Sequence, residues 1–144
     1  PGVHICYEYS RSHNPTRFAY ERAVANLESG QKGYAFASGM AAISTILEML
    51  PHGSHVIASD DLYGGTFRLF DKVRTKSAAL TFSFVDMSNL DNIAAAITPN
   101  TKMIWVETQT NPLLKLADIA GIAKIAKQHN LISVADNTFA SPIL

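Results

Sequence analysis

Short apolar segments alternate with helix-like segments along most of this chain of 144 residues, and this alternation restricts its fold more than any other feature. Apolar runs of strand length occur at residues 34–37, 55–58, 80–85, 103–107 and 131–136. They are mostly continuous rather than alternating, which is typical of strands buried on both faces of a parallel sheet. Apolar periodicity and stop signals predict helices over residues 15–29, 39–50, 66–74, 89–97 and 116–129. The sequence therefore predicts an α/β fold with a doubly wound, mostly parallel, five-stranded sheet.

Local signals define the ends and faces of two of these helices. Asn14 is a good N-cap, Pro15 suits the first helical position, and Gly30 is a natural stop after the last turn. The apolar face of the first helix is predicted from helical spacing to contain Tyr20, Ala23, Val24 and Leu27. The same reasoning gives the last helix a face formed by Ile119, Ala120, Ala123 and Ala126.

The charge balance and the cysteine content exclude several classes of function. Twelve basic and twelve acidic side chains cancel and no basic block occurs, which argues against a nucleic-acid or anionic-membrane surface. No apolar run approaches the ~18 residues of a membrane-spanning helix, and no signal peptide is visible. The single cysteine, Cys6, cannot form an internal disulfide, so we expect a reducing, cytoplasmic setting. The histidines lack metal-ligand spacing, and no metal site is predicted.

Polar residues follow four of the five predicted strands. Parallel sheets bind ligands at the carboxyl ends of their strands, so these residues predict a site at one edge of the sheet. The segment Ser38-Gly39-Met40 places free backbone N–H groups at a helix start, where an anion binds readily, although a tight turn has the same sequence. A Rossmann-like dinucleotide binder is the rival interpretation, and the required Gly-x-Gly-x-x-Gly pattern is missing.

For two further side chains near this edge, the sequence alone allows either a ligand-binding or a structural role. Asp136 ends an apolar strand, where a carboxylate is costly unless it is paired, and either a protonated ring nitrogen or a turn N–H would pair it. Tyr63 precedes two glycines, which fits either a ring stacked on a ligand or an ordinary surface loop.

Five motifs in the correct order resemble the Cys/Met-metabolism, or trans-sulfuration, family of pyridoxal-phosphate (PLP) enzymes. They are Tyr-Ser-Arg at 9–11 with Asn-Pro-Thr-Arg at 14–17, Ala-Ser-Gly-Met-Ala-Ala at 37–42, Asp-Asp-Leu-Tyr-Gly-Gly at 60–65, Thr-Asn-Pro at 110–112 and Val-Ala-Asp-Asn-Thr-Phe at 134–139. The resemblance covers nearly the whole chain. It implies the partial large domain of a fold-type-I PLP-dependent enzyme, with PLP as cofactor.

The resemblance also implies a role for individual residues. Tyr63 would stack on the pyridine ring and assist proton movement, Asp136 would pair the ring nitrogen, and both would be catalytic. Asn111 would donate to the phenolate oxygen, although an Asn-Pro turn is the alternative, and Arg68 would lie near the substrate. The full cofactor-binding set that the resemblance implies is Tyr9, Arg11, Ser38, Gly39, Met40, Tyr63, Asn111, Asp136 and Thr138.

The family pattern further implies how the chain is organised. Residues 1–14 would form an arm whose Tyr9 and Arg11 reach the cofactor phosphate of a neighbouring subunit, so a dimer would be the active unit and dimers would pair. Residues 15–144 would form the front part of the PLP-binding domain. The family's Schiff-base lysine has no counterpart before Leu144, so this stretch alone is not expected to turn over substrate.

The implied activity is C–S bond cleavage in sulfur amino acids, with cystathionine γ-lyase as the first choice. Cystathionine γ-synthase, cystathionine β-lyase and methionine γ-lyase share the motifs and stay open as alternatives. A non-catalytic remnant that only binds partners is the distant alternative. Retention of Asp136, Tyr63 and Arg11 together argues against that remnant, because it would have no use for these contacts.

Overall fold

The structure is a computed structural model that describes residues 7–142. Cys6, His4, the beginning of the predicted arm at residues 1–14 and the last two residues of the predicted domain at 15–144 lie outside the described residues.

Four strands form one parallel sheet in the part of the chain that is described. They pair in the order β2-β1-β3-β4. Every pairing is parallel, so the predicted doubly wound α/β class is confirmed. The strands are β1 (His55–Ser59), β2 (Thr81–Val85), β3 (Thr101–Glu107) and β4 (Ile132–Asp136).

The helices are α1 (Pro15–Leu27), α2 (Gly39–Leu47), α3 (Gly64–Arg68), α4 (Thr75–Ser77), α5 (Leu90–Ala95) and α6 (Ile119–Gln128). The first two precede β1, the others lie between strands, and together they cover both faces of the sheet. A π-helical segment, Leu69–Arg74, continues α3 and leads into α4, where the sequence predicts one helix over residues 66–74.

The core has one apolar cluster on each face of the sheet. One cluster joins α2 and the π-helical segment to β1 and β3, and Phe70 packs edge-on against Trp105 at its centre, 5.4 Å between ring centroids. The other joins α5 and α6 to the same two strands, with Ile93 and Ile122 almost fully buried. The two central strands are therefore buried on both sides, as their continuous apolar sequences predict.

The strand predicted at residues 34–37 does not form. Tyr34 and Phe36 are 67% and 44% exposed, so neither side chain faces a second layer. The segment is held by α1 instead, because the N–H of Ala35 donates to Glu21 Oε1 at 2.9 Å. A short apolar run indicates that an extended backbone is favoured. It does not indicate whether a neighbouring strand is available for hydrogen bonding.

The predicted faces of the first and last helices are also largely wrong, since Ala126 of α6 is the one predicted member that is fully buried among the described residues. In α1 the structure buries Ala25 and leaves Tyr20 and Leu27 each 62% exposed. In α6 it buries Ile122 and Ala126 and leaves Ile119 exposed. Which side of a helix is buried depends on the elements that the helix packs against. Apolar spacing alone is compatible with more than one buried side.

The ends of these two helices differ from the predicted ones in ways that local chemistry explains. Helix α1 ends at Leu27, and Ser29 rather than Gly30 adopts the left-handed conformation at φ 53°. The N–H of Gly30 then donates to Ala25 O at 2.7 Å, which is the Schellman pattern. Helix α6 begins three residues late because Asp118 caps it, accepting from the N–H of Gly121 at 2.9 Å.

Within residues 7–142, no helix has the length and apolar character needed to cross a membrane.

A buried histidine at the amino end of β1 makes the stability of the fold depend on pH. His55 is 6% exposed, and its two ring nitrogens bond the hydroxyls of Thr101 at 2.8 Å and Ser83 at 2.9 Å. Burial lowers the pKa of His55 below its ordinary value of 6.5. The unfolded chain therefore binds more protons than the folded one in the pH interval below 6.5.

We expect the free energy of unfolding to be constant near neutral pH and to fall as the pH drops below about 6.5. Urea unfolding between pH 5 and pH 8 measures this slope. His55→Gln should remove the slope, whereas His129→Gln at an exposed position should retain it. An unchanged slope in His55→Gln would assign the pH dependence to other groups.

Candidate active site

The carboxyl ends of the parallel strands bring the predicted polar residues to one edge of the sheet. In the β3–β4 ladder Glu107 is the register partner of Asp136, so two carboxylates lie side by side. The backbone N–H of Glu107 donates to the hydroxyl of Ser59, the last residue of β1, at 3.1 Å. The edge is thus a continuous polar rim on an apolar sheet.

A cavity of about 390 Å³ opens over this rim. Its volume lies in the range typical of small-molecule sites, and its wall is mixed apolar and polar. The residues that line it are Ser38, Gly39, Met40, Ile43, Tyr63, Glu107, Gln109, Asn111, Asp136, Thr138 and Phe139.

The amino end of α2 forms one wall of the cavity. Ser38 is the N-cap, and its hydroxyl accepts from the N–H of Ala41 at 3.2 Å. A Cβ built on Gly39 would meet no atom within 4 Å, so the protein itself does not require glycine there. The open space next to the helix start is the kind of place where an anionic group is held by backbone N–H groups.

Tyr63 also lines the cavity, and contacts are seen at its backbone and at its ring. Its backbone N–H donates to both carboxylate oxygens of Glu107, at 2.9 and 3.1 Å. Its ring packs over Gly65, where an added Cβ would lie 2.5 Å from Tyr63 Cε1 and 3.0 Å from Met40 Sδ. The ring is 48% exposed, so one side of it remains open to the cavity or to solvent.

Glu107 is the most deeply buried acidic side chain of the cavity, at 5% exposure. Burial raises the pKa of Glu107, and the negative charges of Asp136 and Asp61 raise it further. Hydrogen bonds from the backbone of Tyr63 and Asn111 act in the opposite direction and favour the ionised form. Glu107 therefore takes up a proton more readily than an exposed glutamate.

Asp136 stands at the end of β4 with one oxygen already occupied. Thr138 donates to Oδ1 through its hydroxyl at 2.5 Å and its backbone N–H at 3.3 Å. Asp136 lines the cavity and is half-buried. Thr138 orients the carboxylate.

The loop after β3, which carries Asn111, is held by Asp61. Asp61 is 8% exposed and accepts from the Thr110 hydroxyl at 2.5 Å and from the N–H of Leu113 at 2.8 Å. Lys115 closes the same loop by bonding Asp60 at 2.9 Å and Asp86 at 3.2 Å. The two aspartates after β1 therefore shape the loop rather than face the cavity.

Three of the predicted site residues lie away from the cavity in this structure. Tyr9 is 59% exposed, and the guanidinium of Arg11 lies over its ring at 5.3 Å from the centroid. Arg68 is exposed on α3 and is not part of the cavity wall. The other seven predicted residues are brought together, although they come from four separate parts of the chain. Among residues 7–142 no cluster of three possible metal ligands occurs.

Comparison with known proteins identifies the family. The sequence model of the Cys/Met metabolism PLP-dependent enzymes matches residues 2–144. The chain belongs to this family. The predicted resemblance is thereby confirmed, and the cofactor of the family is PLP.

Individual relatives carry different enzyme names. The chain is 63% identical over its full length to a cystathionine β-lyase of Coxiella burnetii, of which it covers 37%. It is 52% identical over 98% of its length to a probable cystathionine γ-synthase of Herpetosiphon aurantiacus, of which it covers 44%. The chain therefore spans less than half the length of these relatives.

The structure of a solved relative confirms the fold. The structure of cystathionine γ-lyase from Lactobacillus plantarum, complexed with L-serine, superposes with a TM-score of 0.91 and 56% identity. The match covers 94% of this chain and 35% of that protein.

Four residues that line the cavity were not predicted as site residues from the sequence, namely Ile43, Glu107, Gln109 and Phe139. Glu107 had a usable signal, because a polar residue that ends a parallel strand adjoins the polar end of the next strand. Gln109 lies two residues beyond the end of β3. Ile43 lies one turn along α2 from the helix start, a placement that only the packing reveals.

Two glycines offer a matched test of this geometry. Gly65→Ala should displace the half-exposed Tyr63 ring with little loss of stability, because the ring is free to swing outward. Gly33→Ala should destabilise the protein by about 1–3 kcal/mol, because the added Cβ would lie 2.3 Å from the backbone carbonyl oxygen of Glu21. Thermal unfolding measures both changes, and a crystal structure of Gly65→Ala locates the ring. Equal destabilisation by the two substitutions would contradict the described placement of Tyr63.

Proposed function

We propose that this chain is the cofactor-binding part of a PLP-dependent trans-sulfuration enzyme that cleaves C–S bonds in sulfur amino acids, with cystathionine γ-lyase as the first choice. The main support for the proposal is that one cavity is lined by the start of α2, by the half-exposed Tyr63 and by Asp136 at the end of β4. A β-lyase at 63% identity, a probable γ-synthase at 52% and a γ-lyase at 56% all resemble the chain, so cystathionine γ-synthase and cystathionine β-lyase remain the alternatives.

The residues that line the cavity fit PLP in three respects. The amino end of α2 offers unpaired backbone N–H groups for a phosphate, with Ser38 at the cap and open space beside Gly39. The open face of the Tyr63 ring suits a flat aromatic ligand. The Asp136 carboxylate, which lines the cavity and is held by Thr138, suits a protonated ring nitrogen.

When bound, PLP supplies an electron sink for the carbon next to the substrate nitrogen. Asp136 would keep the ring nitrogen protonated through a charge-assisted hydrogen bond, and this raises the electron-withdrawing power of the ring. Tyr63 would cover the ring, exclude water from that face and hold a proton at its phenolic oxygen. Asn111 would donate to the ring oxygen, and Thr138 would hold the Asp136 carboxylate in place.

The lysine that carries the cofactor is proposed to come from outside these residues. The lysines of the chain are Lys32, Lys72, Lys76, Lys102, Lys115, Lys124 and Lys127, and none of them lines the described cavity. Lys115 lies in the loop that follows β3, and its amine forms ion pairs with Asp60 and Asp86.

We propose further that residues 1–14 act as an arm toward a second subunit, with residues 15–144 as the front of the PLP-binding domain. Tyr9 and Arg11 project from the described part of the arm and do not reach the cavity of their own chain. The exposed apolar side chains of α1 and the following segment support contact with a second copy. A dimer as the active unit, pairing of dimers, a substrate role for Arg68 and a cytoplasmic location belong to the same proposal.

The pairing of Asp136 with the cofactor is tested in the complete protein. Asp136→Ala should lower kcat by about 10²-fold or more with cystathionine, because the ring nitrogen loses its counter-charge. The visible absorbance of bound PLP, recorded before and after addition of cystathionine, shows whether the wild-type protein binds cofactor and substrate. Asp91→Asn, an exposed change on α5, is the control and should leave both signals unchanged. Near-normal turnover by folded Asp136→Ala would remove this residue from the mechanism.

The action of the arm is tested by subunit complementation. An Arg11→Ala subunit and a subunit that lacks the Schiff-base lysine should each be inactive, and mixed dimers should regain part of the activity. This follows because one of the two sites in the mixed dimer combines an intact arm with an intact lysine. Absence of rescue in mixed dimers that are shown to form would place Arg11 in the site of its own chain.

A further inference from the structure

Glu107 is a buried carboxylate that sequence reasoning gave no role. It ends β3 at 5% exposure and lines the cavity beside Asp136. A buried carboxylate is costly unless hydrogen bonds compensate the lost hydration. Within residues 7–142 no lysine, arginine or histidine is found paired with it, so its partners are backbone groups.

The main partner of Glu107 is the backbone of Tyr63. Both carboxylate oxygens accept from the same N–H, at 2.9 and 3.1 Å, across 44 positions of sequence. The Tyr63 side chain makes no cap hydrogen bond to α3, so it is through its N–H that Glu107 holds the backbone of Tyr63 at the start of this helix.

Glu107 is itself held by the sheet. Its backbone lies in the β3–β4 ladder opposite Asp136, and its N–H donates to Ser59 at 3.1 Å. A strand residue therefore sets the position of a loop residue, and both contacts lie at the same polar rim. Sites anchored on regular elements keep their geometry better than sites built on loops alone.

We infer that Glu107 is a positioning residue that fixes Tyr63 over the cavity at a set distance from Asp136. The inference rests on the proposed function for its catalytic meaning, while the contact itself does not depend on bound cofactor. The Tyr63 N–H favours the ionised form of Glu107, and a protonated carboxyl would still keep a carbonyl oxygen that accepts from this N–H.

Two substitutions separate positioning from charge. Glu107→Gln removes the charge and keeps an acceptor oxygen at the same reach, so it should retain the contact. Glu107→Asp keeps the charge and withdraws the acceptor by one methylene, so it should lose the contact. The matched controls are Glu48→Gln and Glu48→Asp, because Glu48 is 66% exposed and lies outside the cavity.

The first readout is hydrogen–deuterium exchange at the Tyr63 amide in the complete, cofactor-free protein. Glu107→Asp should accelerate this exchange about tenfold or more, as expected for the loss of one hydrogen bond to a charged group. Glu107→Gln and both controls should leave it close to the wild-type rate. Amides of β1 should be unaffected in all four variants, which separates a local effect from unfolding.

The second readout is a mutant cycle on the loaded enzyme. Glu107→Asp should lower kcat/KM about tenfold in the wild-type background and by less than about twofold when Tyr63 is already alanine. The inference is overturned by unchanged exchange at Tyr63 in Glu107→Asp, by additive losses in the cycle, or by a loss in Glu107→Gln as large as in Glu107→Asp. A wild-type spectrum without bound PLP would instead refute the proposed function, and the exchange result would still decide the contact.

Discussion

The parallel ladder between β3 and β4 is the constraint on which the rest of the site depends. Because the two strands run in the same direction and in register, Glu107 and Asp136 end side by side at one edge. Two neighbouring negative charges make ionisation of both carboxyl groups less favourable, so each carboxylate needs its own hydrogen-bond donors to stabilise its charge. The backbone of Tyr63 compensates one and Thr138 the other. The ladder thereby fixes the wall of the cavity as well as its charge.

Carboxylates hold the loops around the cavity, together with the buried side chain of Leu62. Asp61 binds the hydroxyl of Thr110 and a loop N–H, while Lys115 bridges the ends of β1 and β2 through Asp60 and Asp86. A hydrogen bond from Ser88 is the main reason that the pKa of Asp86 is lowered to about 2. These contacts leave the loops that carry Tyr63 and Asn111 little freedom. A site that recognises a flat cofactor needs such fixed walls, because small displacements cost affinity and rate.

The apolar surface has a different distribution. The sheet is buried at its two central strands, whereas β4 is an edge strand whose residues alternate between half-buried and exposed. Helix α1 and the segment that follows it carry several exposed aromatic side chains. Exposed apolar side chains that lie close together are typical of protein–protein contact surfaces.

The sequence by itself determined the α/β class and the bounds of the four strands to within two residues, because strand propensity is a local property. The seven predicted residues of the cavity followed from the resemblance of its motifs to the PLP-dependent family, and the polar ends of the parallel strands indicated the edge where they meet. It did not determine which residues of α1 and α6 are buried, nor that residues 34–37 stay out of the sheet, because both depend on what lies opposite. Glu107 shows the same division. Its position at the end of a strand could be predicted from the sequence. Its hydrogen bond to Tyr63 could not, because the two residues are 44 positions apart and only the folded chain brings that N–H to the carboxylate.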